Sequence, residues 1–251
     1  MTPDGFRPVI RRVEAVMPVH NEECHLPAAL SALAAATEAL ARQRPSVAVG
    51  LTVVLDHCTD RSAEIAERFA GAHAGVTVVR RLFRNAGASR AAGVAAAVRD
   101  LGSGLLESTW LANTDADSQV PENWFVRQLQ FADAGWDAVL GSVEPDSAGM
   151  DPDLLRSWHL RHPLEERHGN VYGANLGVRA SAYRQAGGFP PLLSSEDRAL
   201  VERLRRRGFA ITATDSTRVV TSGRTASRAP HGFGAYLRVL GVETAAALRG
   251  G

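Results

Sequence analysis

The sequence is poor in cysteine and in aromatic residues, and it has no long apolar run. Its two cysteines, Cys24 and Cys58, are too few among 251 residues for a disulfide framework, so we expect free thiols. The apolar stretch from Ala28 to Leu40 is interrupted by polar residues and is too short to cross a bilayer. Residues 1–12 lack the apolar core of a signal peptide. These absences exclude a disulfide-rich secreted scaffold and predict a cytoplasmic protein without a transmembrane segment.

Neither sign of charge is in excess. Lysine and arginine total 28 against 27 aspartate and glutamate residues, and the net charge of +1 disfavours broad nonspecific binding to nucleic acid. We therefore expect no nucleic-acid partner. The apolar fraction of 45% and the charged fraction of 22% are typical of a globular protein, and the length suits one large α/β domain. The abundance of alanine and arginine suggests a bacterial genome.

The first half of the chain alternates short apolar runs with longer amphipathic ones. The β-branched runs predict strands, and leucines at helical spacing predict helices. This alternation predicts parallel strands joined by helical crossovers, and therefore the α/β class. The predicted strands are Val13–Pro18, Val47–Leu55, Val76–Val79 and Thr109–Ala112, and the predicted helices are Leu26–Gln43, Ser62–Ala70 and Ser89–Arg99.

The second half has a less regular pattern. Pro163 ends the helical spacing that begins at Pro152, and Gly208 ends the strongest amphipathic helix. The other predicted elements are a helix over Asn123–Ala134, a strand over Asp137–Val143, an extended segment over Val171–Arg179, a helix over Ser195–Arg207, short strands over Phe209–Thr212 and Arg218–Thr221, and a helix over Phe233–Leu248.

Polar clusters follow three of the predicted strands. They are Pro18–Glu23, Asp56–Asp60 and Asn113–Ser118. Ligands of parallel sheets bind outside the carboxyl ends of the strands. We therefore expect the three clusters to form one binding site at one edge of the sheet.

Asp115 and Asp117 form a carboxylate pair directly after a buried strand. In an extended chain these residues point the same way, with Cα atoms roughly 6.6 Å apart. Carboxylate oxygens select Mg²⁺ or Mn²⁺, and the phosphates of a nucleotide complete the shell of such an ion. The ion also offsets charge on a departing diphosphate. The alternative interpretation is a solvated turn in which Asp117 caps the next helix.

An ordered series of motifs resembles glycosyltransferase family 2, whose members have the GT-A fold. The resemblance covers roughly residues 13–221. The motifs are Val16–Glu23 (VMPVHNEE), Val53–Asp60 (VVLDHCTD), Arg84–Arg90 (RNAGASR), Asn113–Asp117 (NTDAD), Gly173–Leu176 (GANL), Gly187–Phe189 (GGF) and the helix opening Ser195–Arg198 (SEDR). Leu55 and Cys58 depart from the usual V-V-D-D-x-S-x-D pattern.

The resemblance implies a single GT-A domain over residues 1–251. Its central sheet is expected to be mostly parallel and Rossmann-like, flanked by helices, with a mixed acceptor-side half. The expected parts are a nucleotide-binding half over 1–120, an acceptor-side half over 121–222, and a basic loop with a C-terminal helix over 223–251.

The resemblance also implies roles for individual residues. Asp197, with Glu196 as second choice, is the expected general base of an inverting enzyme. The expected metal ligands are Asp115, Asp117 and His231, and the expected phosphate or lid residues are Arg224 and Arg228. The expected nucleotide-sugar contacts are Pro18, His20, Asn21, Glu22, Asp56, Asn85, Arg90, Asp115 and Ala116.

The predicted reaction is transfer of a hexosyl group from a UDP- or GDP-linked donor, assisted by Mn²⁺ or Mg²⁺. The acceptor is a small molecule or a lipid-linked group, and a homodimer is compatible with the sequence. A sugar-nucleotidyltransferase would carry a glycine-rich basic loop after the first strand, which Pro18–Glu22 lacks. A phosphohydrolase would carry threonine or valine where Gln119 stands. A non-catalytic binding module of the same fold is the remaining alternative.

Overall fold

Apolar and β-branched residues build four neighbouring parallel strands in the first half of the chain. The computed structural model describes residues 7–225 and 232–250. The four strands are paired in the order β3-β2-β1-β4. This arrangement confirms the parallel sheet that the alternating pattern predicts. The strands are β1 (Arg12–Val19), β2 (Ala48–Asp56), β3 (Val76–Arg81) and β4 (Thr109–Asn113).

Helices connect these strands close to their predicted positions. The first helix, α1, spans Leu26–Gln43 as predicted, and its leucines face the core. The third helix begins at Ala86, three residues before the predicted start, because the Asn85 side chain accepts a hydrogen bond from the backbone N–H of Ala88 at 2.9 Å. The helices of this half are α1 (Leu26–Gln43), α2 (Ser62–Ala72), α3 (Ala86–Ala97) and the short α4 (Ser103–Leu106).

The second half completes an eight-stranded mixed sheet in the order β3-β2-β1-β4-β7-β6-β8-β5. Strand β7 is antiparallel to β4 and β6, β8 is parallel to β6, and β5 is antiparallel to β8. The elements are β5 (Ser118–Gln119), α5 (Trp124–Asp133), β6 (Ala138–Pro145), α6 (Pro152–Arg161), a 3₁₀ turn (Gly173–Asn175), β7 (Leu176–Arg179), α7 (Ala180–Gln185), α8 (Glu196–Arg206), β8 (Ile211–Thr221) and α9 (Phe233–Gly250).

The two short strands predicted at the end of this half form one strand, β8. The polar residues in the middle of β8 remain in the sheet because the charged side chain of Asp215 has hydrogen-bond partners there. Asp215 accepts hydrogen bonds from Ser142 of β6 at 2.5 Å and from Arg218 at 3.0 Å. The register of β6 against β8 shifts between Gly141 and Val143, which marks a bulge beside this cluster.

Two hydrophobic clusters lie on opposite faces of the sheet. Alternate side chains of β1 divide between them: Val13, Ala15 and Met17 join one cluster and Val16 joins the other. On the second face α3 packs closely because Gly93 has no side chain; a Cβ there would lie 2.5 Å from Cγ1 of Val16. This packing sets the start of α3 at the same sheet edge as the ends of β1, β2 and β4.

Within residues 7–225 and 232–250, no helix combines the length and the apolar character that crossing a membrane requires.

Candidate active site

A cavity of about 740 Å³ opens where β1, β2 and β4 end. Its walls also include the starts of α3 and α8, the 3₁₀ turn and the residues after β8. The carboxyl ends of parallel strands meet at one edge, so polar clusters distant in sequence share this cavity. Most sequence-predicted site residues line it: Pro18, His20, Glu22, Asp56, Asn85, Arg90, Asp115, Ala116, Asp117, Glu196, Asp197 and Arg224.

Among the described residues, one predicted site residue, Asn21, is not part of this lining. Asn21 has a φ of 55°, and its carboxamide oxygen accepts a hydrogen bond from the backbone N–H of Thr59 at 2.7 Å. Asn21 therefore joins the loops after β1 and β2 behind the cavity wall. Arg228 and His231 lie outside the described residues, and their lid and metal roles stay predictions.

Asp56 uses its carboxylate within the chain. Oδ1 accepts the backbone N–H groups of Phe83 and Arg84 at 2.7 and 2.9 Å. Oδ2 accepts the N–H of Asn85 at 3.0 Å and the Ser89 hydroxyl at 2.8 Å. Burial raises the pKa of Asp56, but these four donors outweigh burial and hold its pKa below the ordinary value. Because all four lone-pair positions are occupied, Asp56 orders the loop between β3 and α3.

His20 fixes the junction of β1 and β2. Its Nδ1 donates to the carbonyl oxygen of Asp56 at 2.7 Å, and its ring centroid lies 6.4 Å from that of His57. The ring is thereby held at the cavity wall beside the β2 end. This contact gives His20 a positioning role within the loop pair.

Asp115 and Asp117 lie directly after β4, and each carboxylate meets an arginine. Asp115 Oδ1 accepts from Nη2 of Arg90 at 2.5 Å, and Asp117 Oδ2 lies 2.8 Å from Nη2 of Arg224. Burial raises the pKa of Asp117 to about 6; repulsion from Asp115 adds to this rise and Arg224 opposes it. Repulsion between the two carboxylates remains, and a further cation bound beside them would reduce it.

Arg90 is a buried guanidinium that joins two acidic segments. Its Nε donates to Oε1 of Glu196 at 2.9 Å, while Nη2 contacts Asp115. Burial lowers the pKa of Arg90, yet the two carboxylates more than offset burial and raise it. A Cβ at Gly173 would lie 2.6 Å from Nη2 of Arg90, so the 3₁₀ turn can lie this close to the guanidinium only because residue 173 is glycine. Arg90, a predicted nucleotide-sugar contact, and Glu196, the second choice of base, are therefore ion-pair partners.

Arg224 closes the opposite side of the carboxylate pair. Its guanidinium makes a two-pronged contact with Glu22, at 2.7 Å to Oε2 and 2.6 Å to Oε1. His25 also contacts Glu22 Oε2 at 3.1 Å and reaches the Ser222 hydroxyl at 3.4 Å. The start of α1, the end of β4 and the segment after β8 therefore meet in one charged cluster that includes Asp117.

Asp197 lies half-buried in the first turn of α8. Its Oδ1 accepts the backbone N–H of Arg198 at 2.7 Å, and in the described part of the chain no cation lies within ion-pair distance of its carboxylate. Burial raises the pKa of Asp197, with Glu196 adding to the rise and Arg90 opposing it. Ser195, which precedes the helix, has a φ of 62°, a region that non-glycine residues rarely occupy. A carboxylate with a raised pKa in a cavity is suited to accept a proton near neutral pH.

The residues present fit a hard divalent cation as a partial coordination shell. Asp115 and Asp117 each have one oxygen engaged by an arginine. Oδ2 of Asp115 remains for an ion, whereas Oδ1 of Asp117 accepts long hydrogen bonds of 3.4 Å from the hydroxyls of Ser118 and Thr221, which an ion would replace or share. Within 7–225 and 232–250, no cluster of three or more His, Cys, Asp or Glu residues is arranged to hold a metal. With respect to these ranges, an ion bound here would draw its other ligands from a diphosphate or water, as Mg²⁺ does with nucleotides; the predicted ligand His231 lies outside them.

The far wall of the cavity contains residues that sequence reasoning missed. Tyr172 directly precedes the Gly173–Leu176 motif, and Arg198 is the last residue of the Ser195–Arg198 motif, but neither has a predicted role. His162 and Tyr236 meet only through the packing of α6 against α9, with ring centroids 5.1 Å apart. A sequence motif within one segment cannot predict such a contact between two distant segments. All four residues line the cavity.

Solved structures of other proteins share this fold at low identity. The mannosyltransferase PcManGT from Pyrobaculum calidifontis, solved with GDP-Man and Mn²⁺, has a TM-score of 0.61 and 18% identity over 98% of this chain and 66% of its own. TarS of S. aureus has a TM-score of 0.60 and 17% identity over 92% of this chain. The present chain spans 39% of the TarS chain and thus well under two thirds of its length.

A third similar structure is glucosyl-3-phosphoglycerate synthase from Mycobacterium tuberculosis, solved with Mn²⁺, UDP-glucose and phosphoglyceric acid. Its TM-score is 0.54 and its identity 15%, over 85% of this chain and 72% of that chain. No curated protein matches the sequence. At these identities the structures establish the fold.

The sequence itself carries the family assignment. The model of the family described as "Glycosyl transferase family 2" matches residues 14–185, which is more than half of the chain. The matched range includes the ends of β1, β2 and β4 and the Asp115–Asp117 pair. The ordered motifs, the mixed sheet and this match agree: the chain belongs to glycosyl transferase family 2.

Proposed function

We propose that the chain transfers a hexosyl group from a nucleoside-diphosphate sugar to an acceptor hydroxyl, with inversion at the anomeric carbon. The observation that carries this proposal is the shared cavity of the Asp115–Asp117 pair and Asp197. One end of the cavity has acidic oxygens suited to a diphosphate-bound cation, and the other has a carboxylate with a raised pKa. The family membership supports the reaction class.

Donor binding falls to the strand-end residues. Asp115 and Asp117 would hold Mn²⁺ or Mg²⁺, which supplies charge neutralisation for the diphosphate. Asp56 and His20 order the loops that border the nucleoside, and Asn85 caps the helix beside them. The donors and metals of the similar mannosyltransferase and glucosyltransferase structures support this choice of ligands.

Arg224 is suited to follow the diphosphate. In the ligand-free cluster its guanidinium neutralises Glu22 and Asp117. A guanidinium binds phosphate oxygens with the same two-pronged geometry that it uses for a carboxylate. Asp117 would hold the cation that accompanies the diphosphate, and Arg224 would then be able to contact the phosphates.

The transfer step places Asp197 at the acceptor. The acceptor oxygen attacks the anomeric carbon as the bond from that carbon to the phosphate oxygen breaks. The bonding electrons leave with the nucleoside diphosphate, and the acceptor proton passes to the Asp197 carboxylate. Attack from the face opposite the departing diphosphate inverts the anomeric configuration.

Nucleotide binding is the direct test. Thermal unfolding is measured with UDP, GDP and dTDP, each with and without Mn²⁺. One of the diphosphates is expected to raise the unfolding temperature only with the metal; a ligand at a hundred times its Kd stabilises by about 2.7 kcal/mol. Stabilisation by none of the three contradicts a donor site. Stabilisation by nucleoside triphosphates and not by diphosphates instead favours the nucleotidyltransferase alternative.

Acceptor-dependent release of the nucleoside diphosphate separates an enzyme from a binding module of the same fold. A module binds the diphosphate and shows no release with any acceptor. The homodimer and the cytoplasmic location stay predictions.

A further inference from the structure

The arginines around the cavity differ in how they are neutralised. Arg90 is bonded to Asp115 and Glu196, and Arg224 is bonded to Glu22 and Asp117. Arg198 also lines the cavity. Across the described ranges 7–225 and 232–250, no side chain forms a hydrogen bond or an ion pair with the Arg198 guanidinium. Arg84 also lines the cavity, and its guanidinium contacts the His57 ring. Among the arginines of the lining, Arg198 is therefore the one whose guanidinium has no side-chain partner in the described ranges.

The position of Arg198 assigns it to the acceptor end. It follows Asp197 in the first turn of α8, on the wall that faces the 3₁₀ turn. Tyr172, beside that turn, lines the same cavity. Burial raises the pKa of Tyr172 to about 12; Tyr236 adds to this rise, and the positive charge of Arg198 opposes it. The phenol is therefore protonated at neutral pH and is available as a hydrogen-bond donor in the cavity that Arg198 lines.

The charges around Arg198 leave room for one anion. Glu196 is paired with Arg90 at 2.9 Å, so Asp197 and Arg198 are the charged side chains of the first turn of α8 that have no ion-pair partner in the described ranges. An oxyanion that binds Arg198 returns a negative charge to this wall. That charge favours the protonated form of Asp197, and a base with a higher pKa accepts a proton more readily.

We infer that Arg198, with the Tyr172 hydroxyl, binds an oxyanion of the acceptor, so that the acceptor is a hydroxyl compound bearing a phosphate or a carboxylate. The inference rests on the proposed function, because it places the acceptor beside Asp197. Arg198 is a specificity residue here: it contacts the acceptor without taking part in bond exchange. Neutral sugars and alcohols lack the group that the guanidinium recognises.

The experiment compares matched acceptors. The donor is a hexose-linked form of the nucleoside diphosphate that stabilises the protein, and release of that diphosphate is measured. One acceptor series is glycerol, glycerate and glycerol 3-phosphate. The other is glucose, glucuronate and glucose 6-phosphate. In at least one series the acidic member is expected to exceed the neutral member about ten- to a hundredfold in kcat/KM, the value of one charge-assisted contact. The carboxylate and phosphate arms distinguish the two oxyanions.

Variants assign the preference to Arg198. Arg198→Gln is expected to reduce the acid-to-neutral ratio to near one, and Arg198→Lys to retain part of it. Arg205→Gln removes the same charge from an exposed position of α8 outside the cavity lining, and it is expected to leave the ratio unchanged. Diphosphate-dependent thermal stabilisation should persist in all three variants.

Two outcomes overturn the inference. One is equal use of neutral and acidic acceptors by the unaltered protein, and the other is an unchanged ratio in Arg198→Gln. If the unaltered protein uses no acceptor of either series, the diphosphate-bound protein is titrated with glycerol 3-phosphate and with glycerate. Binding by the unaltered protein that is lost in Arg198→Gln supports the inference, and any other result contradicts it. Loss of diphosphate binding in the unaltered protein contradicts the proposed function instead, so the two failures are distinguishable.

Discussion

The donor and acceptor ends of the cavity differ in how their charges are satisfied. At the donor end the charged groups have partners in the chain: Asp56 accepts four hydrogen bonds, and Arg90 and Arg224 each bridge two carboxylates. At the acceptor end Asp197 and Arg198 receive little more than backbone contacts. The contacts of the donor end are therefore formed before a ligand binds, which is appropriate for a diphosphate that all donors share. At the acceptor end the polar side chains remain available to contact the substrate.

The acceptor end should show the largest effect on turnover. Asp197→Asn keeps the size of the side chain and removes the proton acceptor, so kcat is expected to fall about 10²- to 10⁴-fold. Diphosphate-dependent thermal stabilisation should be nearly unchanged, because the donor end is intact. Glu202→Gln, an exposed position of the same helix, is the matched control. Wild-type turnover in Asp197→Asn would show that another group takes the proton.

The pH profile tests the same carboxylate. Because burial raises the pKa of Asp197, activity is expected to fall on the acidic side as pH drops through a pKa above the ordinary aspartate value. The Asp197→Asn variant should lose this acidic limb in plots of kcat against pH. An acidic limb that persists unchanged in the variant belongs to a different group.

At the donor end, the largest effect on stability is expected at Arg90. Arg90→Met leaves the buried Glu196 and the half-buried Asp115 without this counter-charge, and breaking a buried pair such as Arg90–Glu196 costs about 3–5 kcal/mol. Denaturant unfolding measures this loss. Arg68→Met, an exposed arginine on α2, is the control and should change stability by less than about 1 kcal/mol. A loss at Arg90 no larger than at Arg68 contradicts a pre-ordered donor end.

Asp117 should oppose folding in the absence of a cation. Its pKa is raised to about 6 in the folded protein, so its contribution to stability is present at low pH and is lost as pH rises through that value. Asp117→Asn is therefore expected to stabilise the metal-free protein at pH 7.5, by on the order of 2 kcal/mol. The same change should abolish stabilisation by diphosphate with Mn²⁺. Asp100→Asn, at an exposed position, is the control for both measurements.

The sequence predicted the donor end better than the acceptor end for a physical reason. The donor residues follow buried strands directly, so β1, β2 and β4 fix where Glu22, Asp56 and Asp115 lie, and the strands are visible as apolar runs. Helix α1 matched its predicted bounds because its leucines keep one spacing. The contacts of these residues were less accessible: nothing local indicates that Arg90 pairs with Glu196, 106 positions away.

The acceptor end arises from packing between distant segments. His162 ends α6 and stacks on Trp158 at 4.8 Å, while Tyr236 comes from α9. Neither residue lies in a motif, and both enter the cavity because α6 and α9 pack together. The left-handed backbone of Ser195, which begins α8, likewise has no glycine or asparagine to indicate it.

The smallest expected effect concerns the loop that joins the two ends. The Asn85 side chain caps α3 through Ala88 and donates its amide to the carbonyl oxygen of Pro191 at 3.2 Å. Asn85→Ala removes both contacts, and the loss of a cap costs about 1 kcal/mol. Asn85→Asp keeps the cap acceptor but not the amide donor, so the difference between the variants measures the contact with Pro191. Suppose that Asn85→Asp is as stable as the unaltered protein and binds diphosphate normally, but has a higher KM for the acceptor. The hydrogen bond from the Asn85 amide to Pro191 then positions the acceptor end. Equal stability and unchanged KM would show that the two ends are positioned independently.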